Sequence, residues 1–233
     1  MFILHKNRIL IILLFFSVFK LYSQDIKLIY PKEYENALEL KTQYEYILQD
    51  KGITDTNFYI ALVFPEMIRY NTIQDELETF INKVAYTTID KYEGCSIGTF
   101  QIKPKCALEI EQKVKASDSL SKKYPLLSNI ANKNNFTEKL NRINRLRERT
   151  YQVEYLLAFV DICINLYDLS TITKTEQLTI ISAAYNVGFL ENKENYKYFT
   201  TIKSFPYGSE SPDSFWNYTD LVIEFYNLFR KKN

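Results

Sequence analysis

Apolar positions along the chain recur mostly at helical spacing, with few breaks between the runs. After a polar start at Asp25, residues Leu38, Leu40, Tyr44, Ile47 and Leu48 predict a first helix over 25–52, ended by Gly52. Asp55 or Thr56 is placed to cap a second helix, the strongly apolar run from Phe58 to Tyr70. Pro65 within that run predicts either a kink or the helix's last turns. A third helix is expected from Gln74 to Val84, then a loop with Gly94 and Gly98, and Pro104 opens a helix through Val114. Residues 116–136, with their Ser, Lys, Asn and Pro125, read as a connection within one domain. A long helical pattern returns from Phe136 to Tyr167. It is basic early, at Arg142, Arg145, Arg147 and Arg149, and that basic face reads as solvated. Thr173 and Glu176 have capping-box spacing ahead of Leu178, Ile180, Ile181 and Ala184, and Gly188 stands where a helix stops. An amphipathic helix over 214–229 closes an all-α domain that has no repeats.

The first two dozen residues follow a different pattern. Lys6 and Arg8 precede an apolar run from Ile9 to Phe16, extended by Val18 and Phe19, and polar sequence resumes at Asp25. A basic start, a short apolar core and a small residue at the break predict a signal peptide over 1–24, cut near Ser23 or Gln24; the alternative is an uncleaved N-terminal anchor. The run is shorter than the roughly 20 residues that span a bilayer. The mature domain, 25–233, is therefore expected in the periplasm or outside the cell, with no stable membrane insertion after cleavage.

Charge and composition narrow the chemistry. With 29 basic and 28 acidic side chains there is no basic excess of the kind nucleic-acid binding needs. The single histidine, His5, lies in the signal peptide, so the mature chain cannot hold a His-based triad or a typical zinc site. No metal or cofactor is expected. The 19 Tyr and 16 Phe suit core filling, and Tyr also suits sugar-binding grooves. Cys95 and Cys106 bracket the stretch from Ser96 to Lys105. A disulfide there would staple the loop; the alternative is that they and Cys163 are buried, reduced thiols.

Three segments carry candidate chemistry. Glu66 is a lone carboxylate in an apolar helix, where burial would keep it protonated and able to donate to a leaving oxygen. The alternative is a helix-terminal Glu in water or paired with Arg69. In Ser96-Ile97-Gly98-Thr99-Phe100-Gln101, Gly98 would let backbone approach a ligand, and Gln101 offers donor and acceptor to sugar hydroxyls. In Ala183-Ala184-Tyr185-Asn186-Val187-Gly188, small residues allow tight packing and Tyr185 and Asn186 present polar groups at a helix end. Alone, either segment could be an ordinary turn or helix terminus.

Taken together, their order and spacing resemble the lysozyme-like superfamily, in particular the SLT-type lytic transglycosylases and goose-type lysozymes, over roughly residues 57–190. In that family a catalytic Glu ends an apolar helix, a G-x-x-Q loop follows, and an A-Y-N-x-G segment comes near the end. Glu66, Gly98 to Gln101 and Ala184 to Gly188 match these in turn, with Ser96 and Pro104 also in place. Met67 stands where the family commonly has Ser, and Phe100 where it has Met, which marks a divergent, Bacteroidetes-like branch.

The resemblance implies that peptidoglycan glycan strands are the substrate. Glu66 would protonate the β-1,4 bond between N-acetylmuramic acid and N-acetylglucosamine, then deprotonate the muramoyl C6 hydroxyl, leaving 1,6-anhydro ends. Tyr185 would position or polarise Glu66, Gln101 and Asn186 would hold sugar or backbone, and Ser96 would contact the N-acetyl group. Glu93, just before the loop, is a candidate second acid, as are Asp75, Glu76 and Glu78; the alternative for each is a solvated surface charge. If Glu93 faced Glu66, lysozyme-type hydrolysis would follow instead. Two further readings remain: a catalytically silent peptidoglycan-binding scaffold, and an unrelated exported helical protein, which would have no groove joining Glu66, Gln101 and Tyr185.

Overall fold

The computed structural model describes residues 25–70, 96–131 and 135–231. The expected signal peptide, the helix over 74–84, and Asp75, Glu76, Glu78, Glu93, Gly94 and Cys95 lie outside these residues.

The described chain is predominantly helical. The single helix expected over 25–52 is two: α1 (Ile26–Ile29) and α2 (Pro31–Asp50). Pro31 accounts for the break, since a proline disfavours helical backbone in the residue before it, and Tyr30 sits at ψ 59°. Asp55 caps α3 (Thr56–Arg69) by accepting from the Phe58 amide. Pro65 lies inside α3, one turn from its end.

Every residue of α3 from Phe58 to Ile68 except Tyr59 is buried. A helix apolar on all sides must be wrapped on all sides. Here α2 and the last helix, α11 (Tyr218–Arg230), pack along it, and α9 (Lys174–Val187) covers a further side. Phe64 sits at the centre of an aromatic cluster, with ring centroids 5.6 Å from Tyr34, 4.6 Å from Phe225 and 5.0 Å from Phe229. Much of the high aromatic content is core of this kind, and several of the buried phenols bond to backbone. Tyr218, for example, donates to the Leu62 carbonyl at 2.9 Å.

Between α3 and α9 lie α4 (Pro104–Lys115), the short helices α5 (Asp118–Lys123) and α6 (Pro125–Ser128), then α7 (Phe136–Arg147) and α8 (Arg149–Leu166). The expected connection over 116–136 is thus partly helical, with Ser117 capping α5 and Pro125 opening α6. The long pattern from Phe136 to Tyr167 is two helices, divided at Glu148, whose backbone is extended. The capping box of Thr173 and Glu176 forms in full at the start of α9. Before α11, α10 (Tyr196–Phe199) leads to a small antiparallel hairpin, β1 (Lys203–Phe205) with β2 (Trp216–Asn217). Strand β2 occupies part of what reads in sequence as the start of the last helix; Asn217 caps α11 instead. No helix of the described residues is long and apolar enough to cross a membrane.

The basic stretch of α7 corrects an expectation. Arg147 and Arg149 are exposed, but Arg142 is 0% exposed and Arg145 is largely covered. Both turn inward because carboxylates are buried with them. Arg142 donates to one oxygen of Glu111 from Nε at 3.0 Å and from Nη2 at 2.8 Å. Arg145 donates to the other oxygen of Glu111 at 3.1 Å and to Glu138 at 2.7 Å. The Tyr155 hydroxyl completes the set, donating to Glu111 at 2.5 Å. The cluster joins α4, α7 and α8. Replacing Arg142 with Ala strands a buried carboxylate, so Arg142→Ala is expected to lower unfolding free energy by about 3–5 kcal/mol in denaturant titration. A loss below about 1 kcal/mol would show that the network does not hold these helices together.

Candidate active site

The C-terminal turn of α3 carries Glu66 and Arg69, and the loop after it is held from two sides. Ile97 and Ile102 exchange backbone hydrogen bonds of 3.1 Å, making a tight turn in which the Gln101 amide donates to the Gly98 carbonyl at 2.9 Å. Behind the turn, the Gln152 side chain of α8 accepts from the Phe100 amide at 2.9 Å. The Phe100 ring is buried against Tyr44, centroids 4.4 Å apart. In front, the Tyr185 hydroxyl of α9 donates to the Phe100 carbonyl at 2.6 Å.

These parts enclose a cavity of about 540 Å³. Glu66, Ser96, Gln101, Tyr185 and Asn186, all singled out from sequence, line it together. Gly98 does not. At φ +72°, a Cβ there would fall 2.5 Å from the Leu146 carbonyl oxygen and 2.6 Å from Gln152 Nε2. The close approach that glycine permits is to the chain's own helices α7 and α8, not to a ligand.

Glu66 is 8% exposed. Arg69 Nη2 lies 2.9 Å from its Oε2, a charge contact without hydrogen-bond alignment, and this buried oxygen has no hydrogen-bond donor among the described residues. Burial pushes the Glu66 carboxyl above the usual carboxylate range, while the charges of Arg69 and Lys103 pull it down. The pairing with Arg69 was the alternative reading of this carboxylate, and both features hold at once: the acid is paired and it is buried. The i,i+3 spacing of Glu66 and Arg69 on one helix was the available signal.

The polar side chains of the site are also bonded within the protein. Tyr185 donates its proton to the Phe100 carbonyl and so shapes the loop, while its buried phenol also feels the charge of Glu66. Gln101, at φ 52°, donates through Nε2 to the Gly98 carbonyl at 2.8 Å and accepts from Arg69 at 3.4 Å. Asn186 donates to Ser204 Oγ at 3.0 Å and so holds β1. Met67 is fully buried in the core, so the departure from Ser there does not alter the cavity wall.

Lys103, Cys106, Glu109 and Tyr207 also line the cavity and were not assigned to the site from sequence. Glu109 lies in the second turn of an amphipathic helix whose start is legible in sequence, but its face is placed only by the partners of α4. Cys106 and Cys163 are free thiols, while Cys95, the other half of the expected staple, is outside the described residues. Burial pushes the Cys106 thiol up to about 12, so it is protonated near neutrality and unsuited to nucleophilic work.

No family model matches the chain, and neither does any curated protein or solved structure. The site's chemistry therefore rests on its geometry. Its dependence on the pinned turn can be tested at Gly98. Gly98→Ala combines left-handed backbone with a clash against a backbone carbonyl, and is expected to cost about 2 kcal/mol or more in denaturant unfolding. A variant as stable as wild type would show that the turn is not seated on α7 and α8.

Proposed function

We propose that this protein is an exported peptidoglycan lytic transglycosylase, a divergent member of the lysozyme-like superfamily, with Glu66 as its acid and base. One observation carries the reading. The buried Glu66 carboxyl lines a single cavity with Gln101 of the G-x-x-Q loop and Tyr185 and Asn186 of the A-Y-N-x-G helix end, although those segments are far apart in sequence.

A carboxyl whose proton affinity burial raises is suited to donate to the oxygen of the β-1,4 bond between N-acetylmuramic acid and N-acetylglucosamine. The bond from C1 to that oxygen breaks, and the electron pair leaves with the oxygen. Glu66, now a carboxylate facing Arg69, accepts the proton of the muramoyl C6 hydroxyl as that oxygen bonds to C1. The product is a 1,6-anhydro ring, and Glu66 ends the cycle protonated. Among the described residues, the charges of Arg69 and Lys103 act on Glu66, and Glu109 of α4 is a second carboxylate on the same cavity wall. Export to the periplasm or beyond, where the substrate lies, belongs to the same proposal and rests on the pattern of residues 1–24.

A second reading has its own support. The ion pair with Arg69 and the internal bonding of Gln101 and Asn186 would equally suit a protein that binds glycan without turnover. Digestion of purified sacculi followed by mass spectrometry of the released muropeptides separates the two. Wild type is expected to release anhydro-ended fragments, and Glu66→Gln to lower the rate at least ~100-fold. Reducing ends would make the enzyme a muramidase. Equal release by wild type and variant would end the catalytic reading.

A further inference from the structure

One guanidinium touches three separate parts of the chain. Arg69 Nη2 lies 2.9 Å from Glu66 Oε2 and donates to Gln101 Oε1 at 3.4 Å, while Nη1 donates to the Pro206 carbonyl at 3.1 Å. Pro206 directly follows β1. The turn after it places Tyr207, Gly208 and Ser209 on the cavity wall, with Tyr207 62% exposed there.

We propose that Arg69 is a positioning residue with two tasks: it steadies the Glu66 carboxylate, and through the same guanidinium it latches the 203–217 hairpin against the cavity. The assignment deepens the transglycosylase reading and rests on it for its kinetic consequences alone.

The groups acting on Glu66 show why Arg69 dominates. Besides Arg69 on α3, Lys103 approaches from just before α4, Tyr185 from α9 and Tyr218 from α11. Both tyrosines are held neutral by burial, and their hydroxyls already donate to the carbonyls of Phe100 and Leu62. Lys103 is exposed, where water weakens its field. Arg69, also exposed at its outer edge, lies 2.9 Å from Glu66 Oε2 and exerts the larger of the two pulls on it. A carboxylate formed in a dry pocket needs such a partner at the moment it must act as base. The planar fork of the guanidinium also allows one side chain to meet a carboxylate, an amide oxygen and a carbonyl together, which a lysine ammonium on a flexible stem cannot reproduce.

The two tasks separate in two variants. Arg69→Lys keeps charge and loses the fork, while Arg69→Gln loses both. The measurement is a carboxyl NMR titration with the Glu66 signal identified by its absence in Glu66→Gln, alongside hydrogen exchange at the amides of Tyr207 and Gly208. These amides bond within the hairpin, to Ser214 Oγ at 3.2 Å and to the Ser204 carbonyl at 2.7 Å.

Arg69→Gln is expected to raise the Glu66 midpoint by about one pH unit or more, and Arg69→Lys to leave it within a few tenths. Both variants are expected to speed exchange at the two amides ~10-fold or more. The protonated form is the active form of the free enzyme, so kcat/KM falls as pH rises through the Glu66 pKa. A higher pKa in Arg69→Gln therefore carries that fall to higher pH. An unchanged midpoint in Arg69→Gln, or unchanged exchange in both variants, overturns the assignment. If midpoint and exchange shift as stated while wild type releases no glycan fragments, the role of Arg69 stands and the transglycosylase reading falls.

Discussion

Wrapping α3 is the constraint on which the rest of the structure depends. A helix apolar around most of its circumference has no face to turn toward water, so α2, α9 and α11 must surround it. The aromatic cluster around Phe64 is part of that wrap. Burying the helix to its final turn carries Glu66 into low-dielectric surroundings, which raises its proton affinity. The Leu62 carbonyl, held by Tyr218, and the Phe100 carbonyl, held by Tyr185, show how backbone oxygens near this helix are satisfied without water.

The turn from Ile97 to Ile102 is shaped by the same packing. Its amide and carbonyl at Phe100 are bonded from opposite sides by Gln152 and Tyr185, and its glycine presses on α7 and α8. Gln101 is thus presented to the cavity by a rigid mount. Polar groups that sequence suggests for sugar binding are used first to build the wall: Asn186 ties down β1, and Gln101 closes its own turn. Such a wall is preorganised, which suits a site that must hold a ligand still while a proton moves.

The ion cluster on Glu111 lies behind this apparatus. It locks α4, which contributes Cys106 and Glu109 to the cavity, to α7 and α8, which seat the turn. Each of its charges is hydrogen-bonded, the condition under which buried charge is tolerated. Stability and site geometry therefore share elements, and loosening α4 or α7 would disturb the cavity without touching it.

Features governed by near neighbours were legible in the chain itself. The spacing of Thr173 and Glu176 dictated a capping box, Asp55 a helix start, and the run around Glu66 a buried helix, because these depend on residues within one or two turns. The motif order also picked out Glu66, Ser96, Gln101, Tyr185 and Asn186, which share one cavity wall. Packing alone decided where their polar atoms bond. The inward turn of Arg142, the clasp of Tyr185 on Phe100, and the reach of Arg69 to Pro206 across 137 positions each join elements distant in sequence. A side chain's partner is chosen by which helices come to lie beside it, and no local periodicity encodes that.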